Sequence, residues 1–240
     1  MVTFQAEIQG KVVKLYSNAP LKGAAAAVLR TFNMLSEKAD IFAKGFMMTY
    51  GWAAFFLDER EDDGKQYYVV QTLDYRNNPN NKIDDCGMAL TIQNMQINTN
   101  KKAGVERPEP TSFRDTILVL RSAVDAEDVY MNRTEPTKDG DSGWYFGLLN
   151  DEREGQHEPE ELVHVSSCEL LKFRGEAVRV LEMPVGTLAV FHGTEMTALV
   201  DKDDNPLPFV TTDEVRKAVA LRKSAEAAAQ AEESKKTDGK

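Results

Sequence analysis

Side chains that usually carry chemistry are scarce in this chain. Its two cysteines, Cys86 and Cys168, stand far apart and in no metal-type spacing. They indicate neither a disulfide framework nor a zinc site, and read as small buried apolar residues. The three histidines, His157, His164 and His192, all fall in the second half. No P-loop, Gly-x-Gly-x-x-Gly turn, His-Glu-x-x-His pair or Gly-x-Ser-x-Gly elbow occurs, so the common signals of nucleotide binding, zinc hydrolysis and serine esterases are missing. No apolar run approaches the roughly 20 residues a membrane span needs. The opening MVTFQAEIQG has no basic stretch followed by an apolar one, so a cytoplasmic address without membrane attachment is the expectation.

Positive charge is also in short supply. The 240 residues hold 29 Lys and Arg against 39 Asp and Glu, a net charge of −10. The deficit sits in the body of the chain: residues 1–210 carry 22 basic and 33 acidic side chains, whereas 211–240 are nearly balanced at 7 and 6. Such a body repels phosphate backbones and anionic lipid, which argues against nucleic acid and membrane as ligands and for a basic protein as partner. The 42% of apolar residues suits a folded globular chain.

The pattern along the chain predicts an α+β protein. Alternation over residues 3–15, broken at Gly10, predicts a hairpin. Leu21, Ala24, Ala25, Val28, Phe32 and Leu35 mark one stripe of a helix after Pro20. MMTYGWAAFFL and KQYYVVQTLDY, joined by the acidic DEREDDG, predict a second hairpin, and RNNPNN a turn. MALTIQNMQINTNKKAG fits a strand or a helix, with its Met, Leu and Gln favouring helix. AGVERPEPTS, with two prolines, is the best linker, dividing an N-terminal α+β domain (1–105) from a second domain (113–210) with a mainly antiparallel sheet. That sheet would draw on ILVLRSAV, VYMNRTEP, WYFGLL, ELVHV, VRVLEM, TLAVFHG and TALVDKD. Residues 211–240, rich in Ala, Lys and Glu, predict a helical tail fraying into disorder.

One stretch invites a catalytic reading. Gly140-Asp-Ser-Gly143 resembles the surroundings of the reactive serine in chymotrypsin-like proteases. There, however, histidine and aspartate precede the serine, and a small residue helps build the oxyanion hole. Here every histidine follows Ser142, and the bulky Trp144 stands next to Gly143. The same letters make turn material feeding a strand in which Trp144, Phe146 and Leu148 alternate with Tyr145 and Gly147. Asp139 and Asp141 fringe one end of that strand, and Asp151, Glu152 and Glu154 the other. His157, Glu158, Glu160, Glu161 and His164 include metal-capable groups, but without an ordered ligand spacing.

The stretch from about Ile117 to Leu207 resembles immunity protein family 33. The likeness runs in order through ILVLRSAV, then VYMNRTEP with its Met-x-Arg and Glu-Pro, then DSGWYFGLLNDE, then LEMPVGTLAVF with a Pro-x-Gly turn, and finally VDKDDNPL. The Asp-Ser-Gly-Trp unit is the specific element. HVSSCELLKFRGEAV and the loop before it depart from the family's simpler pattern. The resemblance implies a non-catalytic immunity protein without cofactor, which binds a cognate secreted toxin of bacterial competition and occludes its active site. Asp139, Asp141, Trp144, Asp151 and Glu152 are then the expected partner-binding residues, facing a basic cleft. The competing readings are a serine- or histidine-dependent hydrolase and a regulatory or scaffold module.

Overall fold

The computed structural model describes residues 1–151, 153, 157–211 and 213. The first strands, β1 (Val2–Ile8) and β2 (Lys11–Ser17), form the expected hairpin. Gln9 and Gly10 turn it with both φ angles positive, 51° and 74°, which matches the right-handed twist of the strands. Helix α1 (Lys22–Ser36) buries Ala25, Val28, Leu29 and Phe32, as its stripe requires. The second hairpin comprises β4 (Ala53–Asp62) and β5 (Lys65–Asp74), with β3 (Met47–Tyr50) beside β4. The acidic run is therefore strand, not turn: Asp63 and Gly64, at φ 48° and 73°, make the whole connection. RNNPNN is likewise mostly strand: Arg76 and Asn77 turn the corner, and Asn78–Asn81 open β6 (Asn78–Ile83), which pairs with β5. The first sheet runs β1-β2-β5-β4-β3, with β2 and β5 parallel.

Helix α2 (Gly87–Ala103), ended by Gly104 at φ 72°, follows. The second sheet consists of β7 (Thr116–Leu120), β8 (Asp128–Arg133), β9 (Asp141–Leu148), β10 (Leu162–Ser166), β11 (Leu188–His192) and β12 (Glu195–Val200). Its order is β10-β7-β9-β8-β11-β12, and every neighbouring pair is antiparallel except β7 and β9. The class is α+β, with two mixed sheets. VRVLEM is no strand: Gly175–Val180 is a 3-10 helix, and Val180, Leu181 and Met183 are buried beneath the sheet. The short α3 (Leu170–Phe173) packs on the same side, with Phe173 edge-on to Phe146 at 5.5 Å.

One continuous cluster of buried side chains runs through both sheets, from Trp52 to Trp144. Polar contacts line the junction. Trp52 Nε1 donates to Ser167 Oγ at 3.0 Å, Gln96 Nε2 to the Val178 carbonyl at 3.0 Å, and Thr111 Oγ1 to the Leu181 carbonyl at 2.6 Å. Glu182 is buried there and accepts from Asn100 Nδ2 at 3.0 Å. Burial pushes its carboxyl pKa up, against the lowering effect of that hydrogen bond. Both cysteines are free and buried, and burial raises both thiols. The helical tail expected over 211–240 lies outside the described residues, apart from Thr211 and Asp213. Among the described residues, no helix is long and apolar enough to cross a membrane.

Candidate partner interface

Strand β9 places Ser142 on the inside. The residue is 1% exposed; its hydroxyl donates to the Thr116 carbonyl at 2.7 Å and accepts from the Trp144 amide at 3.1 Å. The oxygen therefore bridges two strands and faces no histidine. Gly143 follows at φ 74°, and a Cβ there would sit 2.0 Å from the Thr134 carbonyl oxygen, so only glycine fits.

The letters that carry the family likeness meet around one buried cation. Arg133, 4% exposed, donates from Nε to the Ser142 carbonyl at 3.1 Å and from Nη1 to the carbonyls of Glu109 at 2.9 Å and Met183 at 2.5 Å. Its own backbone clasps the Pro-x-Gly turn: the Gly186 amide donates to the Arg133 carbonyl at 2.8 Å, and the Arg133 amide to the Thr187 carbonyl at 2.9 Å. Gly186 takes φ 88°, with Lys202 packed where a Cβ would point. The Trp144 ring lies 5.8 Å from the guanidinium carbon, and its indole donates to the Leu181 carbonyl at 3.3 Å. Burial pulls the Arg133 pKa down, while Glu109, Asp115 and Glu135 oppose that shift. Arg-x-Glu-Pro, Asp-Ser-Gly-Trp and Met-Pro-x-Gly thus form one structural knot.

Of the five residues expected at the contact, the four described ones, Asp139, Asp141, Trp144 and Asp151, are not brought together. Trp144, 1% exposed, is core and supports the sheet from behind. Asp141 closes its own turn: its carboxylate accepts from the Thr137 amide and hydroxyl and from the Gly143 amide, at 2.9, 2.8 and 2.9 Å. Burial would raise its pKa, but these donors outweigh it and hold the carboxyl below the usual range. Asp139 is exposed at the tip of that turn. Asp151 lies beyond the other end of β9, a strand about 23 Å long. Asp151 Oδ2 lies 2.6 Å from His157 Nε2 without hydrogen-bond alignment, and Oδ1 accepts from the Arg153 amide at 3.0 Å. Glu152 and Glu154 lie outside the described residues.

Sequence reasoning missed the opposite face of this sheet. Strand alternation sends Ile117, Val119, Val129, Met131, Phe146, Ala189 and Phe191 inward, all fully buried. Their off-phase neighbours Leu118, Tyr130, Tyr145, Leu188, Val190 and Val200 remain half-exposed on the other side. The Tyr130 and Tyr145 rings pack 5.7 Å apart, and Tyr145 lies across Gly147, where a Cβ would come within 2.5 Å of the ring. Burial raises both phenols, Tyr145 to about 12, with the Asp151 carboxylate adding to the shift. The legible signal was a tyrosine at the off-phase position of two adjacent strands, where solvent-facing sheet residues are commonly polar.

Carboxylates rim this face at the Asp151 end. Glu127 precedes β8 and Asp128 opens it, and His192 Nδ1 meets Asp128 Oδ1 at 2.9 Å, with Nε2 3.3 Å from Glu127 Oε1. The Asp128 hydrogen bond, then the charges of Glu127, Asp128 and Glu195, raise the imidazole pKa. Of the cations at that end, Arg153 is engaged with Glu161 at 2.8 Å and Arg121 donates to the Glu160 carbonyl at 3.0 Å. Among the described residues, no group of three His, Cys, Asp or Glu side chains could hold a metal ion. No curated protein and no solved structure matches the chain. Residues 95–201 match the family model described as the Imm33-like domain, a span that begins inside α2 and ends one residue past β12.

Proposed function

We propose that this chain is an immunity-type binding protein that captures a cognate protein toxin in the cytoplasm and blocks its active site. The Imm33-like match, which takes in every strand of the second sheet, is the observation that carries the reading. The chemistry of the residues supports it. An excess of ten negative charges favours encounter with a basic cleft, the kind that toxins acting on nucleic acids or nucleotides present. Inhibition by occlusion needs no reaction from the inhibitor and no cofactor, and the Ser142 hydroxyl is spent on holding β7 to β9. Of the five expected contact residues, Asp139, Asp151 and Glu152 are proposed to meet the toxin, whereas Asp141 and Trp144 hold β9 in shape.

The test is co-expression with the product of each gene adjacent to this one. The expected result is that one neighbour arrests growth alone, that this chain restores growth, and that the two purify as a stoichiometric complex. Failure both to protect and to bind, with the chain folded and abundant, overturns the reading.

A further inference from the structure

We infer that the exposed face of the second sheet, centred on the Tyr130–Tyr145 pair, is the surface that seats the toxin, and that it takes a basic protein surface with an apolar centre. The inference rests on the toxin-binding reading above and names the part of the molecule that performs it. The first support is composition. A sheet packed on one side ordinarily turns polar residues to water, yet this one presents Leu118, Tyr130, Tyr145, Leu188, Val190 and Val200 across five strands. These side chains are half-buried and share the face with Asn132 and His164; a mostly apolar patch of that kind marks interaction sites, and tyrosines supply much of the energy at such centres. Gly147 adds to the shape: lacking a side chain, it lets the Tyr145 ring lie flat against the sheet and meet Tyr130.

The second support is charge. The rim at the Asp151 end holds Glu127, Asp128, Asp151 and Glu195, while Arg153 is bound to the Glu161 carboxylate and Arg121 donates to the Glu160 carbonyl. A partner with lysines or arginines around an apolar centre complements both parts. Size also bears on the fit. Six strands spaced about 4.8 Å apart and about 17 Å long cover roughly 400 Å² in plan, about half of one side of a standard interface. The rim loops must supply the rest, which brings their carboxylates into the contact.

The experiment uses an inactive variant of the neighbouring gene product that this chain protects against. Tyr130→Ala and Val190→Asp are compared with Val12→Ser and Asp62→Lys on the first sheet, each checked by thermal melting. The expected result is at least a tenfold loss of affinity for the first pair and less than a twofold change for the second. Glu127→Lys is expected to slow association several-fold with little change in dissociation. Hydroxyl-radical footprinting of the unsubstituted chain gives the same answer without mutation: Tyr130 and Tyr145 become protected when the toxin is added. If the unsubstituted chain binds but protection falls on the first sheet, the surface assignment is wrong and the toxin-binding reading stands. If the two tyrosines are already protected in the free chain, another segment or a second copy covers the face, and the assignment is again wrong. No binding by the unsubstituted chain removes both.

Discussion

Replacing Arg133 by methionine keeps a stem of similar length and deletes the guanidinium. Three carbonyl oxygens, on Ser142, Glu109 and Met183, then lose their donor inside the protein. An unsatisfied buried acceptor costs about 1–3 kcal/mol. The sum is offset in part because a buried charge no longer has to be desolvated, which the lowered Arg133 pKa reports. Unlike an ion pair replaced on both sides, these partners are backbone groups that no substitution removes, so the net loss should be about 3–5 kcal/mol. For a chain of this size, that is a fall in Tm of about 6–20 °C. Arg133→Lys, which cannot fork, should fall between the two. Thermal unfolding followed by tryptophan fluorescence is a suitable assay, since the Trp144 ring lies 5.8 Å from the guanidinium carbon. A methionine variant melting within about 2 °C of the parent would refute the claim that Arg133 ties the family motifs together.

Three further outcomes follow from the same structure. Ser142→Ala strands the Thr116 carbonyl and the Trp144 amide and should cost about 1–3 kcal/mol, while the parent stays unlabelled by a fluorophosphonate; labelling at Ser142 would restore the catalytic reading. Gly143→Ala meets the Thr134 carbonyl oxygen and forces a positive φ, so a loss of about 1–3 kcal/mol from backbone strain alone is expected; an unchanged urea midpoint would contradict it. Glu182, raised by burial, keeps its proton in the folded chain at pH values where the unfolded chain has released it, so the parent loses stability as pH rises from about 4.5 through the raised folded value. Glu182→Gln lacks that loss, and its advantage in melting temperature should grow with pH across the window; a pH-independent difference would show that Glu182 is not the group responsible.

How much was legible depended on where burial followed polarity. Strands β7, β8, β9, β11 and β12 could be read because their buried positions are apolar and alternate. Helix α2 could not be told from a strand with the same ease, because it buries Gln93, Gln96, Thr99 and Asn100 against the junction and so blurs its own apolar stripe. The acidic run before Gly64 resembles a turn in composition, whereas the Asp63-Gly64 pair is turn enough and Glu59, Glu61 and Asp62 face solvent from β4. At the candidate interface, the alternation of β9 makes its large inward residues legible, but gives Tyr145 no role. The knot around Arg133 is invisible in spacing alone, since the carbonyls its guanidinium meets are 9, 24 and 50 residues away and carry no side-chain signature.

The alternation of β8 and β9 divides labour between two sides of the same strands. Arg133 and Trp144 point inward and hold the fold; Tyr130, Asn132 and Tyr145 point outward. Exposed changes away from such features usually shift stability by no more than about 0.5 kcal/mol. Substitutions at the outward positions can therefore change the surface this sheet presents while the inward residues keep the scaffold in place, so the letters that carry the family likeness need carry no information about what that surface meets.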